Sequence, residues 1–178
     1  MKQALLVIDV QSGMFDQAPF PDDMEAVLER INGLAERARA AGAPVIWVQH
    51  ESPAGLLGRG GPGWQLAAGL RTADGDRYLA KTTPDSFLRT ELDALLKQLG
   101  VEGVAICGYA SEFCVDTTTR SALARGIPVT LAGDAHTTHD KPHAKAAVIR
   151  AHHSFALGNL SSFGTPIAVK DAADIAFD

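Results

Sequence analysis

The sequence is nearly without cysteine: Cys107 and Cys114 are the only two in 178 residues. That excludes a disulfide framework and makes a reducing compartment the expectation. Basic charge is short as well. Sixteen Lys and Arg face 21 Asp and Glu, a net −5, so neither nucleic acid nor an anionic membrane surface is an expected partner. No apolar run is long enough to span a bilayer. The first apolar stretch, residues 4–8, is cut by Asp9 and is too short for the core of a signal peptide. A cytoplasmic location is therefore expected. Low-complexity tracts, internal repeats and linkers are also missing, so one domain over residues 1–178 is expected. The 46% hydrophobic and 21% charged content is an ordinary globular balance that argues against disorder.

What is present is a regular alternation. Residues 4–8 (Ala-Leu-Leu-Val-Ile) form a continuous apolar run, as in a strand buried on both faces. Met24, Val27, Leu28, Ile31, Leu34 and Ala38 recur at helical spacing, with Asp22 or Asp23 as the cap and Gly42 as the stop. Further strands are predicted over 44–49, 77–80, 104–107, 127–131 and 165–169. Helices are predicted from Pro84 to Leu99, from Phe113 to Arg125, and from Pro142 to about Phe155. Residues 52–76 carry seven glycines, which forbid a long helix or strand. A loop of that length in a compact domain is usually functional or mobile. It has no phosphate-binding pattern after a strand. Strand–helix alternation along the whole chain predicts an α/β fold with a parallel sheet and helices on both faces.

In such a sheet, ligands bind beyond the carboxyl ends of the strands. Asp9, His50, Lys81, residues 109–114 and residues 133–136 all follow apolar strands and should crowd one rim. Cys114 stands in the first turn of its helix, with Ser111 as the expected N-cap. Unpaired backbone N–H groups and the macrodipole favour a thiolate there. The alternative is a cysteine that only fills space, as Cys107 does inside the 104–107 run. A thiol, a carboxylate and an ammonium on one rim make a catalytic set. Cys114 would attack, Asp9 would carry the proton and Lys81 would stabilise charge. Backbone N–H groups at the bend and at Cys114 would hold an oxyanion. Phe15, His50, Trp64, Tyr109 and Glu112 are the candidates for the lining of a substrate pocket.

Four motifs carry a wider resemblance. They are Leu6-Val7-Ile8-Asp9-Val10-Gln11, Lys81 ahead of Ser86-Phe87, the stretch from Gly108 to Arg120 around Ser111-Glu112-Phe113-Cys114, and Gly133-Asp134-Ala135. In order and spacing the whole chain resembles the isochorismatase-like cysteine hydrolases, the superfamily that also holds nicotinamidases and N-carbamoylsarcosine amidases. The resemblance implies a three-layer α/β/α, Rossmann-like fold on a six-stranded, mainly parallel sheet. It implies a triad of Asp9, Lys81 and Cys114. It also implies a non-proline cis peptide before Ala110, with the Ala110 and Cys114 N–H groups as the oxyanion hole. A small-molecule substrate, no cofactor and a homo-oligomer of two or more subunits are implied too.

The chain departs from that pattern in one place. Nicotinamidase-like members carry an Asp-x-His metal motif after the second strand. Here Val48-Gln49-His50 has valine where the Asp should be, so no metal is expected and His50 is left to line the pocket. Pro142 interrupts any helix face shared by His136, His139 and His143, so no metal is expected there either. Ser111 to Cys114 followed by Asp116 to Arg120 looks most like the metal-free amidase and lactam-hydrolase branch, which includes streptothricin hydrolase-like proteins. The expected activity is cleavage of a C–N bond in a small amide or lactam through a Cys114 acyl-enzyme. Two alternatives stand beside it: vinyl-ether hydrolysis without a covalent step, and a non-enzymatic binding or redox-sensing role for Cys114.

Overall fold

The computed structural model describes residues 1–177. Strands β1 (Gln3–Ile8), β2 (Val45–His50), β3 (Arg77–Lys81), β4 (Gly103–Tyr109), β5 (Val129–Thr137) and β6 (Ile167–Lys170) form one sheet. Its six strands run in the order β3-β2-β1-β4-β5-β6, and all neighbours are parallel. Side chains alternate across the sheet. Leu5 and Val7 of β1 join Ile31, Leu34 and Trp47 on one face. Leu6 and Ile8 join Ile46, Leu96 and Leu123 on the other. Both faces of β1 are therefore dry, which is why its sequence carries no polar alternation.

Helix α1 (Ser12–Phe15) is a single turn after β1, and α2 (Met24–Ala40) covers the first face through Val27, Leu28, Ile31, Leu34 and Ala38. On the second face lie α3 (Leu92–Gln98), α4 (Asp116–Ala124) and α5 (Ala146–Gly158). They bury Leu92 and Leu96, Ala122 and Leu123, and Leu157 there. No helix is long and apolar enough to cross a membrane among the described residues.

Several boundaries differ from the sequence expectation, each for a local reason. The helix expected from Pro84 begins only at Leu92. Arg89 takes a left-handed backbone, φ 59°, which breaks a right-handed helix, and Leu88 is left 46% exposed. The last helix begins at Ala146 rather than Pro142, because Lys141 and Ala144 close a small turn ahead of it. Strand β5 runs six residues further than expected, to Thr137 rather than Leu131, so Asp134 and His136 lie in the sheet and not in a loop. Asp23 precedes α2 in a left-handed conformation without capping it, and its carboxylate pairs with Arg30 at 2.8 Å.

The sheet grows in opposite directions from β1 and β4, so the switch point lies between them. Register sets the strand tips level: Ile8 lies beside Val48 and Gly108, and His50 beside Lys81. Gly108 has φ 117°, and a Cβ there would sit 2.2 Å from the Ile8 carbonyl oxygen. Only glycine lets β1 and β4 approach so closely at this point. Gly108→Ala is expected to cost more than about 3 kcal/mol. Urea unfolding measures this, and a loss below about 1 kcal/mol would show that the strand tips tolerate separation.

Candidate active site

The tips of β1, β3 and the turn after β4 bring three reactive side chains together. Lys81, the last residue of β3, donates from Nζ to Asp9 Oδ2 at 2.7 Å and to Cys114 Sγ at 3.3 Å. The same ammonium reaches the Thr83 carbonyl at 3.1 Å and His50 Nδ1 at 3.1 Å. Side-chain exposure is 0% for Lys81 and 3% for Asp9, so neither charge is solvated and each depends on the other. Asp9 follows β1 in the left-handed region, φ 51°, a conformation that short polar residues tolerate and that collects at functional sites. Asp9 Oδ1 is buried with no hydrogen-bond partner among the described residues. It is an acceptor open to a proton or a hydrogen bond from a neighbour.

Cys114 sits in a π-helical turn, Ser111–Val115, that runs into α4. The N–H groups of Phe113 and Val115 both point to the Ala110 carbonyl, at 3.0 and 3.2 Å. Such one-turn π bulges are frequent at functional sites. The peptide bond between Tyr109 and Ala110 is cis. Ser111 does not cap the helix. Its hydroxyl bonds His136 Nδ1 at 2.8 Å instead, and His136 Nε2 bonds the Ser154 hydroxyl at 2.9 Å. One buried imidazole thus ties the turn that carries Cys114 to β5 and α5.

The thiol differs from the sequence expectation of a thiolate. Burial, and then the charge of Asp9, push the Cys114 thiol up to about 12, against the opposing pull of Lys81. Desolvation outweighs the helix start. Burial and Asp9 thus favour the protonated thiol over the thiolate, which calls for a base at the moment of attack. His50 is held toward its neutral form by burial and by Lys81.

A cleft of about 280 Å³ opens over the sulfur. Asp9, His50, Ala110 and Cys114 line it together with Met14, Leu57, Pro84, Tyr109 and Phe113. Of the five residues expected to line a pocket, His50 and Tyr109 do. Phe15 is buried behind the wall, edge-on to the Tyr109 ring at 5.8 Å. Trp64 lines a separate groove with Gln49, Leu66 and Tyr78, and its carbonyl accepts from Gln11 and Gln49. Glu112 turns away to Thr138 at 2.8 Å and Lys141 at 3.2 Å. Met14, Leu57, Pro84 and Phe113 escaped sequence reading because isolated apolar residues in single turns and loops carry no periodic signal. Phe113 had one cue, its place beside Cys114 in the same turn. Gln11 was also missed: it is fully buried and clamps the His50 backbone by its N–H and its carbonyl, at 2.9 and 3.0 Å.

Donor atoms of Asp9, His50 and Cys114 lie within 4.8 Å of one another, a spacing that suits one metal ion. The Lys81 ammonium bonds all three and supplies the positive charge an ion would bring. The set does not fit a resident divalent metal, because the ion and the ammonium would repel each other. His136, with both ring nitrogens on serine hydroxyls, does not join His139, which bonds the Tyr109 hydroxyl and the Pro19 carbonyl.

Two measurements check these assignments. Burial lowers His136 from 6.5 to about 3, so the unfolded chain binds the extra proton between those values and stability falls as pH falls through that window. Between about pH 7 and pH 5 the loss from this residue is about 2 kcal/mol. His136→Gln should flatten that slope in urea unfolding, and an equal slope would contradict the assignment. For Cys114, thiolate absorbance against a Cys114→Ser background should show no ionisation near neutral pH. Asp9→Asn should move the midpoint down, because one negative neighbour is removed. An unmoved midpoint would contradict the charge coupling.

An isochorismatase-domain family model matches residues 3–167. Streptothricin hydrolase from Streptomyces noursei is 41% identical over 143 residues, 80% of this chain and 52% of that protein. The chain thus spans about half the length of these relatives. The secreted isochorismatase effector Isc1 of Verticillium dahliae is 33% identical, over 94% of this chain and 88% of its own. Ureidoacrylate amidohydrolase of Klebsiella pneumoniae is 30% identical, over 68% and 67% of the two chains. The crystal structure of an isochorismatase family protein superposes with a TM-score of 0.85 at 34% identity, over 95% of this chain and 98% of that one. With the family model running from the first strand to the start of the last, the chain belongs to the isochorismatase family.

Proposed function

We propose that the protein hydrolyses a C–N bond in a small amide or lactam through an acyl-enzyme on Cys114. The observation that carries this is one buried ammonium bonded to both Asp9 and Cys114, with Asp9 Oδ1 left without a hydrogen-bond partner among the described residues. Asp9 takes the thiol proton as sulfur attacks the carbonyl carbon. Lys81 holds the charge that develops on sulfur while it is still ionised. The backbone N–H groups of Ala110 and Cys114, two residues of the cleft lining, receive the oxyanion. Collapse of the tetrahedral intermediate breaks the C–N bond, and Asp9 returns its proton to the leaving nitrogen. Water then attacks the thioester, again with Asp9 as base, and releases the acid and the free thiol. An amidohydrolase among the relatives supports the bond type.

A vinyl-ether substrate is the second reading, favoured by the relative named as an isochorismatase effector. That chemistry needs no bond to sulfur. Rapid quenching during turnover of an amide panel, followed by mass spectrometry, separates the two. An acyl adduct on the peptide holding Cys114 is expected. Cys114→Ala should lower amide turnover by roughly 10⁴-fold or more while leaving the circular dichroism spectrum unchanged. Turnover with no adduct and full activity in Cys114→Ala would overturn the covalent mechanism.

A further inference from the structure

The walls of the cleft carry a specificity of their own. Its volume of about 280 Å³ lies just under the roughly 300–1,000 Å³ of sites for drug-sized ligands. Met14, Leu57, Pro84 and Phe113 present carbon. Tyr109 does so through its ring, because its hydroxyl is engaged with His139 Nδ1 at 2.8 Å. Asp9, which lines the cleft, is neutralised by the buried Lys81 at 2.7 Å. Lys81 has three N–H protons and already faces four acceptors: Asp9, His50, the Thr83 carbonyl and Cys114. It has none to give a carboxylate on a ligand. Lys141, over the Phe113 ring at 5.7 Å, is paired with Glu112 at 3.2 Å. Among the described residues no arginine and no lysine lines the cleft; the Lys81 ammonium lies beneath it, fully buried.

We infer that the cleft selects an uncharged, mainly apolar acyl or lactam group and rejects one that carries a carboxylate. The inference rests on the hydrolytic role of Cys114 proposed above. A carboxylate on the bound group would lose its water against carbon, find no free side-chain donor, since the Ala110 and Cys114 N–H groups are taken by the reacting carbonyl, and face Asp9. A flat ring or short branched chain would instead lie against Tyr109 and Phe113 and bury apolar surface there. The committed ammonium serves the reaction, and the walls choose the substrate.

The test uses three alkylating probes on the whole protein: N-phenyl iodoacetamide, iodoacetamide and iodoacetate. Labelling of Cys114 is followed by mass spectrometry at one pH, and each rate is divided by that of free cysteine. Cys107, fully buried, is the internal blank. N-phenyl iodoacetamide is expected to exceed iodoacetate by at least about tenfold, or about 1.4 kcal/mol. Phe113 is 54% exposed, so Phe113→Ala should fold. It is expected to lower the ratio of N-phenyl iodoacetamide to iodoacetamide by about threefold or more, in line with the loss of an aromatic contact. Equal or faster normalised labelling by iodoacetate overturns the inference, and an unchanged ratio in Phe113→Ala overturns the part given to that wall. Both results leave the covalent mechanism to be judged by the adduct experiment. If that experiment fails while the neutral preference holds, the hydrolytic role falls and the selectivity of the cleft stands.

Discussion

One buried ion pair organises the reactive end of this molecule. Lys81 and Asp9 meet at 2.7 Å with almost no solvent on either side chain. Each alone would carry a burial cost of several kcal/mol, and removing one partner of such a pair typically costs about 3–5 kcal/mol. They stand at the tips of β3 and β1, on either side of β2, so the pair fixes the spacing of three strand ends at once. His50, at the tip of the strand between them, adds its Nδ1 to the same ammonium. Gln11 then locks the His50 backbone from below. The sulfur of Cys114 is brought to this assembly from β4 across the switch point, where Gly108 allows the strands to close.

The ammonium is shared among more acceptors than it has protons, which gives the site two electronic settings. With the thiol protonated, the three protons suffice for Asp9, His50 and the Thr83 carbonyl. When sulfur ionises, it competes for one of them. Burial and Asp9 hold the thiol in the first setting, so reactivity comes from a base that becomes useful only as attack begins. A permanently ionised sulfur would be more exposed to oxidation. The chemistry and the structure therefore have the same cause: a cation placed where water cannot reach it.

Much of this was legible in the sequence where burial imposes a pattern. The run before Asp9 reads as a strand dry on both faces because both faces are dry. Asp9, Lys81 and Cys114 follow apolar strands, and parallel pairing alone sends strand tips to one rim. Features set by a single backbone angle were not legible. Arg89 at φ 59° stops a helix whose leucine spacing reads as continuous. The fate of Ser111 depended on His136, 25 residues away, which no local rule connects. Trp64 and Glu112 had the chemistry of pocket residues but turned to other partners. The upward pull on the Cys114 thiol was not legible, because a helix start is visible in sequence while the degree of burial and the nearness of Asp9 are properties of the assembled fold.

The central claim is that Lys81 and Asp9 act as one unit, and a double-mutant cycle tests it most directly. The urea unfolding free energies of Asp9→Asn, Lys81→Met and the double variant would be compared with the unmodified protein. Each single change should cost about 3–5 kcal/mol, because it strands the other charge. The double variant should be more stable than either single variant, since neither charge remains to be stranded. Losses that simply add would show that the two residues are buried side by side without depending on each other, and would contradict the account.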